Sequence, residues 1–223
     1  MTFRHRSTMC EPFGRVSRTV YENSDGVGDE RERKHVAGET DEQLMTRAMQ
    51  GNRTALAVLV ERYYATVLGY LYRLVGHNRP LAEDLSQEAF LRLTQQDGYD
   101  ARRAFRPWLF AIATNLARDH FKAAATRRTQ AGLEGAARAI ADMAPSPEEH
   151  ALASEQGVAI ATAIGQLGEE YRAAILLRFY HGLSIQEIAQ ALDIPLGTAK
   201  SRLSVGTRRL RTLLVDTSQE ARP

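Results

Sequence analysis

The 223-residue sequence lacks the features of several protein classes. It has one cysteine, Cys10, so an internal disulfide is excluded and a thiolate metal site is not expected. No apolar run is long enough to span a bilayer, and the N-terminus has no apolar core of the signal-peptide kind. The alternation of apolar and polar residues that is typical of β-strands is also missing. These absences favour a cytoplasmic all-α protein that does not insert into membranes.

Basic residues are concentrated in two segments of the chain. Residues 101–128 contain seven bases and one acid, and residues 196–211 contain five bases and no acid. Residues 41–100, by contrast, contain six bases and eight acids. The net charge of +2 says little about partners, but two basic segments in a near-neutral chain indicate two contacts with a polyanion.

The segment after residue 180 has the pattern of a helix-turn-helix. Gly182 suits the left-handed position that ends a helix. Ser184 and Glu187 have the spacing of a capping box, which satisfies two free backbone N–H groups at the start of the next helix. Asp193 and Ile194 form the predicted turn, and Pro195 fixes the backbone for the first turn of a last helix.

The last helix is predicted to bury one side and to present a cationic side to the DNA major groove. A helical hairpin with a solvated basic face is the simpler alternative, but it does not explain why cap, turn, proline and charge agree. The predicted contacts with duplex DNA are Thr198, Lys200, Ser201, Arg202, Val205, Arg208 and Arg209.

The N-terminal half predicts a second helical domain. Residues 1–40 have no periodicity and are expected to form a disordered extension. Asp41 is predicted as the N-cap of a short helix, and longer helices are predicted to about Val75, over about 80–95 and over about 105–125. One face of helix 80–95 is acidic, which disfavours DNA and favours a protein partner. Its outward residues are Glu83, Asp84, Gln87, Glu88 and Leu91.

Helix 105–125 and the loop before it combine bases, aromatics and amides, which suits single-stranded nucleic acid. Tyr99, Phe105 and Trp108 are the aromatics, and a role for Trp108 in the core is as compatible with the pattern as a contact. A flipped base needs a pocket that stacks it and bonds its edge. The predicted contacts are Arg102, Arg103, Arg106, Trp108, Asn115, Arg118, Asp119 and Lys122.

Between these parts, residues 126–154 contain two glycines and two prolines and predict a flexible linker. The second domain is predicted over 155–214, and residues 215–223 form a tail. The expected architecture is therefore two small all-α domains on a tether, which lets two weak DNA contacts act together.

Three stretches carry a family resemblance: LAEDLSQEAFLRL (81–93), FRPWLFAIATNLARDHFK (105–122) and residues 167–211. In order and spacing they resemble the extracytoplasmic-function (ECF) sigma factors of the bacterial sigma-70 family. Leu81 departs from the pattern, since the family usually has Asp there.

The resemblance implies that residues 41–125 are sigma region 2, which binds the clamp helices of core RNA polymerase and reads the −10 element. It implies that residues 155–214 are region 4, which reads the −35 element and sits on the polymerase flap. It implies no metal, no other cofactor and no catalysis, and it makes an anti-sigma factor an expected partner.

Two other functions are open to a chain with this pattern. A response-regulator-type transcription factor would bind duplex operators without polymerase, but the N-terminal half lacks the strand–helix alternation of a receiver domain. An enzyme acting on nucleic acid would need paired carboxylates in an apolar pocket or a metal-binding His–Glu spacing, and no such motif is found.

Overall fold

The computed structural model describes residues 38–95, 99–130 and 155–220. The predictions for residues 1–37, for 131–154 and for the last three residues fall outside this part. Within it the chain forms eight α-helices and no strand, which confirms the predicted all-α class. The helices are α1 (Asp41–Met49), α2 (Arg53–Leu74), α3 (Arg79–Gln95), α4 (Phe105–Gln130), α5 (Glu155–Gln166), α6 (Glu169–Phe179), α7 (Ile185–Leu192) and α8 (Leu196–Glu220).

The first helix begins at Asp41, one residue earlier than a cap at Asp41 would allow. Thr40, not Asp41, is the N-cap: its hydroxyl accepts from the Gln43 amide at 3.3 Å, and Gln43 Oε1 accepts from the Thr40 amide at 3.0 Å. This capping box leaves the Asp41 carboxylate free to bind Arg62 and Tyr63 of α2. Asn52 caps α2 by accepting from the Ala55 amide at 2.8 Å.

Helices α1 to α4, residues 38–95 and 99–130, are called the N-terminal domain here, and they contribute to a buried apolar core that both halves of the chain share. Tyr70 and Phe110 lie at its centre, both fully buried, with their rings edge-to-face at 5.2 Å. The Tyr70 hydroxyl and the Thr114 hydroxyl share a hydrogen bond of 2.8 Å, which satisfies a polar atom that burial would otherwise penalise. This bond joins α2 to α4.

Helix α4 continues to Gln130, five residues past its predicted end at 125. The residues added are Thr126 to Gln130, which include two arginines and contain no glycine or proline. Nothing in this stretch breaks a helix, so the last turns follow from ordinary propensity.

Helices α5 to α8 form the C-terminal domain, residues 155–220, and contain the predicted helix-turn-helix. Gly182 has φ +67°, and the Ser184–Glu187 capping box is formed, as predicted. Asp193 adopts the left-handed conformation at the end of α7, with φ 50°. Gly206 lets α8 approach α6 closely, because a Cβ at that position would lie 3.1 Å from Ile175 Cγ1.

The two domains pack against each other, which the sequence did not predict. Helix α4 lies along α7, and α2 contacts both α5 and α6. Arg172 of α6 is buried and reaches across this contact, donating from Nη1 to the backbone oxygen of Leu74 at 2.9 Å. In the part of the chain that is described, no helix has both the length and the apolar character to cross a membrane.

Candidate nucleic-acid interface

Helix α8 divides into a buried side and an open side. Ala199, Leu203 and Gly206 are buried against the rest of the domain. Lys200, Ser201, Arg208 and Arg209 are exposed, while Thr198, Arg202 and Val205 are partly exposed. All seven predicted duplex contacts therefore retain solvent access, with Lys200 and Ser201 in the N-terminal half, from which such helices reach base edges.

Two arginines of α8 are oriented by α6. Arg202 Nη2 lies 3.8 Å from Glu170 Oε2, and its side chain is 23% exposed. The Arg209 guanidinium lies over the Tyr171 ring at 4.5 Å from the centroid. A cation–π contact of this kind holds a side chain in place without neutralising its charge.

The segment before α4 and the first turn of α4 contain exposed arginines and aromatic side chains that are buried or partly buried. Arg102 and Arg103 are exposed. Tyr99 is buried, its hydroxyl donates to the Arg103 backbone oxygen at 2.6 Å, and burial raises its pKa to about 12. Phe105 is fully buried, so neither ring can stack on a base in this arrangement. Trp108 is partly buried, with its ring centroid 4.8 Å from that of Tyr99.

The polar face of α4 carries the remaining predicted single-strand contacts. Asn115, Asp119 and Lys122 are exposed, and Arg118 is partly exposed. Arg118 Nη1 donates to Asn115 Oδ1 at 3.2 Å, so the amide and the guanidinium form one polar group. An amide offers both a donor and an acceptor to a base edge, and the guanidinium offers donors to a phosphate.

The outward face of α3 is acidic around one exposed apolar residue. Asp84 and Gln87 are exposed, and Leu91 is 53% exposed. Glu83 pairs with Arg79 at 2.9 Å and Glu88 pairs with Arg92 at 3.0 Å, each pair four residues apart on the helix. The five predicted polymerase contacts thus lie on one helix face. No group of three or more metal-ligating side chains lies within the described ranges.

Comparison with known families and proteins identifies the family of the chain. The family model for sigma-70 region 2 matches residues 59–127, and that for sigma-70 region 4 matches residues 157–210. RNA polymerase sigma-H factor of Pseudomonas aeruginosa is 34% identical over 174 residues, which are 74% of this chain and 89% of that protein. ECF RNA polymerase sigma factor SigW of Bacillus subtilis is 35% identical over 176 residues, 75% and 92% of the two chains.

The chain belongs to the ECF group of sigma-70 family RNA polymerase sigma factors. It is thus a factor for promoter-specific transcription initiation, and the family to which it belongs is a non-catalytic one.

Solved structures resemble the fold of this sigma factor. CnrH in complex with the cytosolic domain of CnrY matches with a TM-score of 0.60 and 25% identity, over 80% of this chain and 99% of that one. The sigma factor RpoE in complex with the anti-sigma factor NepR from Bartonella quintana matches with a TM-score of 0.52 and 22% identity, over 70% and 93% of the two chains. The second likeness concerns the fold alone.

In the described structure the C-terminal domain of the sigma factor covers part of α4. Arg106 Nη2 donates to the His181 backbone oxygen at 2.6 Å. A cleft of about 610 Å³ lies between α4 and the C-terminal domain, and Arg118 and Lys122 line it together with Glu169 and Arg202. Burial raises the pKa of the Glu169 carboxyl, and the nearby charges of Arg118 and Lys122 act in the opposite direction.

Sequence reasoning missed Arg172 and His181, both at this contact. Arg172 donates to the backbone oxygens of Ile164, Gly165 and Leu167 as well as that of Leu74. Its position on the inward face of an apolar helix is the one sequence signal that could have identified it. A buried arginine requires several acceptors, so an arginine at such a position indicates a network of hydrogen bonds. His181 follows Phe179 and Tyr180 directly after α6, and no local pattern in the sequence distinguishes it from a surface histidine.

Proposed function

We propose that this sigma factor reads the −35 element with α8 and the −10 element with α4 and the segment before it, and that it binds core polymerase through α3. One observation above all supports this assignment: a helix-turn-helix whose second helix is buried on one side and carries only bases among the charged residues of 196–211. Such a helix fits the negative potential of a DNA groove.

At the −35 element, position along α8 suggests a division of roles. Lys200 and Arg202 lie in the N-terminal half, where an arginine or lysine can donate to guanine O6 and N7. Arg208 and Arg209 lie two turns farther on and suit phosphate contacts, which hold the protein in register without reading sequence. Thr198, Ser201 and Val205 complete the base-facing surface in this proposal.

At the −10 element, the arginine side chains and the Asn115 amide have separate roles. Arg102 and Arg103 attract the backbone of the unwound strand, and Arg106 joins them when the domains separate. Asn115 with Arg118 holds the edge of an extruded base, and Asp119 and Lys122 border that site. Trp108 is the one aromatic of the group with solvent access, so stacking falls to it.

For the polymerase, a face with carboxylates around an exposed leucine is suited to a protein surface that is basic and partly apolar. Burial of Leu91 would supply hydrophobic free energy, and Glu83, Asp84, Gln87 and Glu88 would set orientation and association rate. We assign this face to the clamp helices of the largest subunit and the C-terminal domain to the flap.

Further partners follow from the relatives. The solved structure of RpoE contains an anti-sigma factor, and we propose that an anti-sigma factor also regulates this chain. We place its activity in the bacterial cytoplasm, with promoter DNA as the ligand in both duplex and single-stranded form. We propose no enzymatic activity for the chain.

Co-purification with core RNA polymerase tests this function against that of a polymerase-independent regulator. The full chain, mixed with core enzyme, is expected to elute with it and to protect a promoter at two sites, near −35 and near −10. Protection of a duplex operator by the chain alone, with no association with core enzyme, would instead establish a regulator.

A further inference from the structure

The two domains meet at an aromatic contact centred on His181. Its imidazole lies 4.8 Å from the Phe110 ring and 5.6 Å from the Tyr70 ring, measured between centroids. Both of these rings belong to the N-terminal domain and are fully buried. A residue of the C-terminal domain therefore rests on the centre of the other domain's core.

The charged groups around His181 are cationic. Arg106 of α4 donates to its backbone oxygen, and Arg73 of α2 lies over the neighbouring Tyr180 ring at 4.8 Å from the centroid. Glu187 of α7 interacts with Arg106, and its carboxylate accepts from the Ser184 amide at 2.7 Å. The charges that act on the pKa of His181 are those of Arg73 and Arg106.

The imidazole also has a buried nitrogen without a partner. His181 Nε2 is shielded from solvent, and no hydrogen-bond acceptor or donor among the described residues reaches it. In the charged imidazolium both ring nitrogens are donors, so protonation would place an unsatisfied N–H and a positive charge between two aromatic rings and two arginines.

We propose that this contact is a proton-sensitive latch: neutral His181 holds the two domains together, and protonation of His181 releases them. Separation exposes Nε2 to water, where a cation is well solvated, while the closed arrangement shields this nitrogen from solvent and places Arg73 and Arg106 near the ring. The equilibrium between closed and open forms therefore depends on pH.

The direction and size of this dependence follow from linkage. Burial, followed by the charges of Arg73 and Arg106, lowers the pKa of His181 from its ordinary value of 6.5 to about 4 in the closed form. The open form therefore binds more protons between these values, and the closed form is favoured above pH 6.5 and loses stability as pH falls. The closed-to-open ratio should fall about fourfold from pH 8 to pH 6 and about thirtyfold from pH 8 to pH 5.

The latch has a consequence for promoter binding that rests on the proposed −10 role of α4. Arg106 is held by the His181 backbone oxygen, and Arg118 lines the cleft beneath the C-terminal domain. Opening would free both for DNA, so the closed form is a resting state with respect to the −10 element.

Fluorescence energy transfer between the domains of the full chain tests the latch without DNA. Dyes are attached to exposed positions of the two domains in a Cys10→Ser, Glu61→Cys, Gln190→Cys background, and transfer is recorded from pH 8 to pH 5. We expect high transfer at pH 8 and a fall below pH 6.5. Transfer that stays constant over this range would overturn the proposal.

Two variants make the test specific. His181→Phe keeps a ring between Tyr70 and Phe110 but cannot be protonated. The closed-to-open ratio derived from its energy transfer should therefore change less than twofold between pH 8 and pH 5. His120→Gln removes a histidine that packs on Phe121 of its own helix, and it should respond to pH as the parent does. An unchanged pH response in His181→Phe would refute the latch.

A measurement on the unaltered chain covers the case in which His181→Phe does not fold. Nuclear magnetic resonance titration of the histidines should give His181 a pKa well below 6.5, and a value for His181 at or above 6.5 would refute the latch. Binding of a single-stranded −10 oligonucleotide at pH 8 and pH 6 separates the two proposals. If the oligonucleotide binds equally well at both pH values, the −10 assignment stands without the latch. If it binds at neither pH value, the −10 assignment is removed and the latch remains.

Discussion

Arg172 Nη1 lies 2.9 Å from the backbone oxygen of Leu74, the last residue of α2, and this hydrogen bond joins the two domains of the sigma factor. The carbonyls at a helix C-terminus have no partner within the helix and carry the negative end of its dipole. A guanidinium can satisfy several such oxygens at once, and Arg172 also binds those of Ile164, Gly165 and Leu167.

Replacing Arg172 should therefore weaken both the C-terminal domain and its contact with α2. We expect Arg172→Met to lower the free energy of unfolding by about 2–4 kcal/mol, because four buried carbonyl oxygens lose a charged donor. Thermal denaturation of the full chain followed by circular dichroism measures the effect. Arg47→Met is the control: its partly exposed pair with Glu39 should be worth about 1 kcal/mol or less. Equal melting temperatures for the two variants would contradict the role assigned to Arg172.

The acidic face of α3 should be required for polymerase binding but not for folding. We expect Asp84→Lys combined with Glu88→Lys to weaken binding to core RNA polymerase at least tenfold, with an unchanged circular dichroism spectrum, since exposed charges contribute little to stability. Glu61→Lys reverses an exposed charge on α2 and should leave binding unaltered. Core affinity of the double variant equal to that of the Glu61 control would remove the assignment.

Arg202 and Arg209 should differ in how they affect −35 recognition. We expect Arg202→Ala to lose about 1–3 kcal/mol of discrimination between matched and mismatched elements, because a bidentate contact to guanine reads sequence. Arg209→Ala should weaken binding to all sequences alike, because phosphate contacts carry no sequence information. Anisotropy measurements with both elements at one fixed salt concentration compare them. If Arg202→Ala loses equal affinity for both elements, it does not read a base.

Asn115 and Arg118 should act on the unwound strand. We expect Asn115→Ala to weaken binding of a single-stranded −10 oligonucleotide by about 1–3 kcal/mol, since the pocket would lose a donor and an acceptor. Arg118→Ala should have a similar effect because the two side chains are hydrogen-bonded to each other. Arg127→Ala, an exposed base three turns along α4, is the control. Unchanged oligonucleotide affinity in Asn115→Ala, with any defect matching a lower melting temperature, would show a structural role.

The helices and the helix-turn-helix could be predicted from sequence because local rules determine them. The Ser184–Glu187 capping box and the left-handed Gly182 require only residues close together in the chain. The cap of α1 was placed wrongly at Asp41 because Thr40 and Asp41 are both good capping residues, and the reciprocal bond from Gln43 decides between them.

What the sequence could not indicate lies where distant segments meet. Tyr99 and Phe105 belong to a segment suited to stacking on DNA, and only the packing of α4 reveals that they are buried. Arg106 and His181 are 75 positions apart, and no local pattern brings them together. The contact between the domains depends on such pairs, so local sequence patterns could not indicate it.

Run-off transcription with core RNA polymerase tests the central claim, that this chain directs initiation at promoters through two DNA contacts. On a library of genomic promoter fragments, the reconstituted enzyme should produce transcripts from a subset that shares a −35 and a −10 element. Arg202→Ala should change which −35 elements are used, and Asn115→Ala should reduce transcripts from duplex templates. Transcripts that are the same with and without the chain, or that share neither element, would contradict the account.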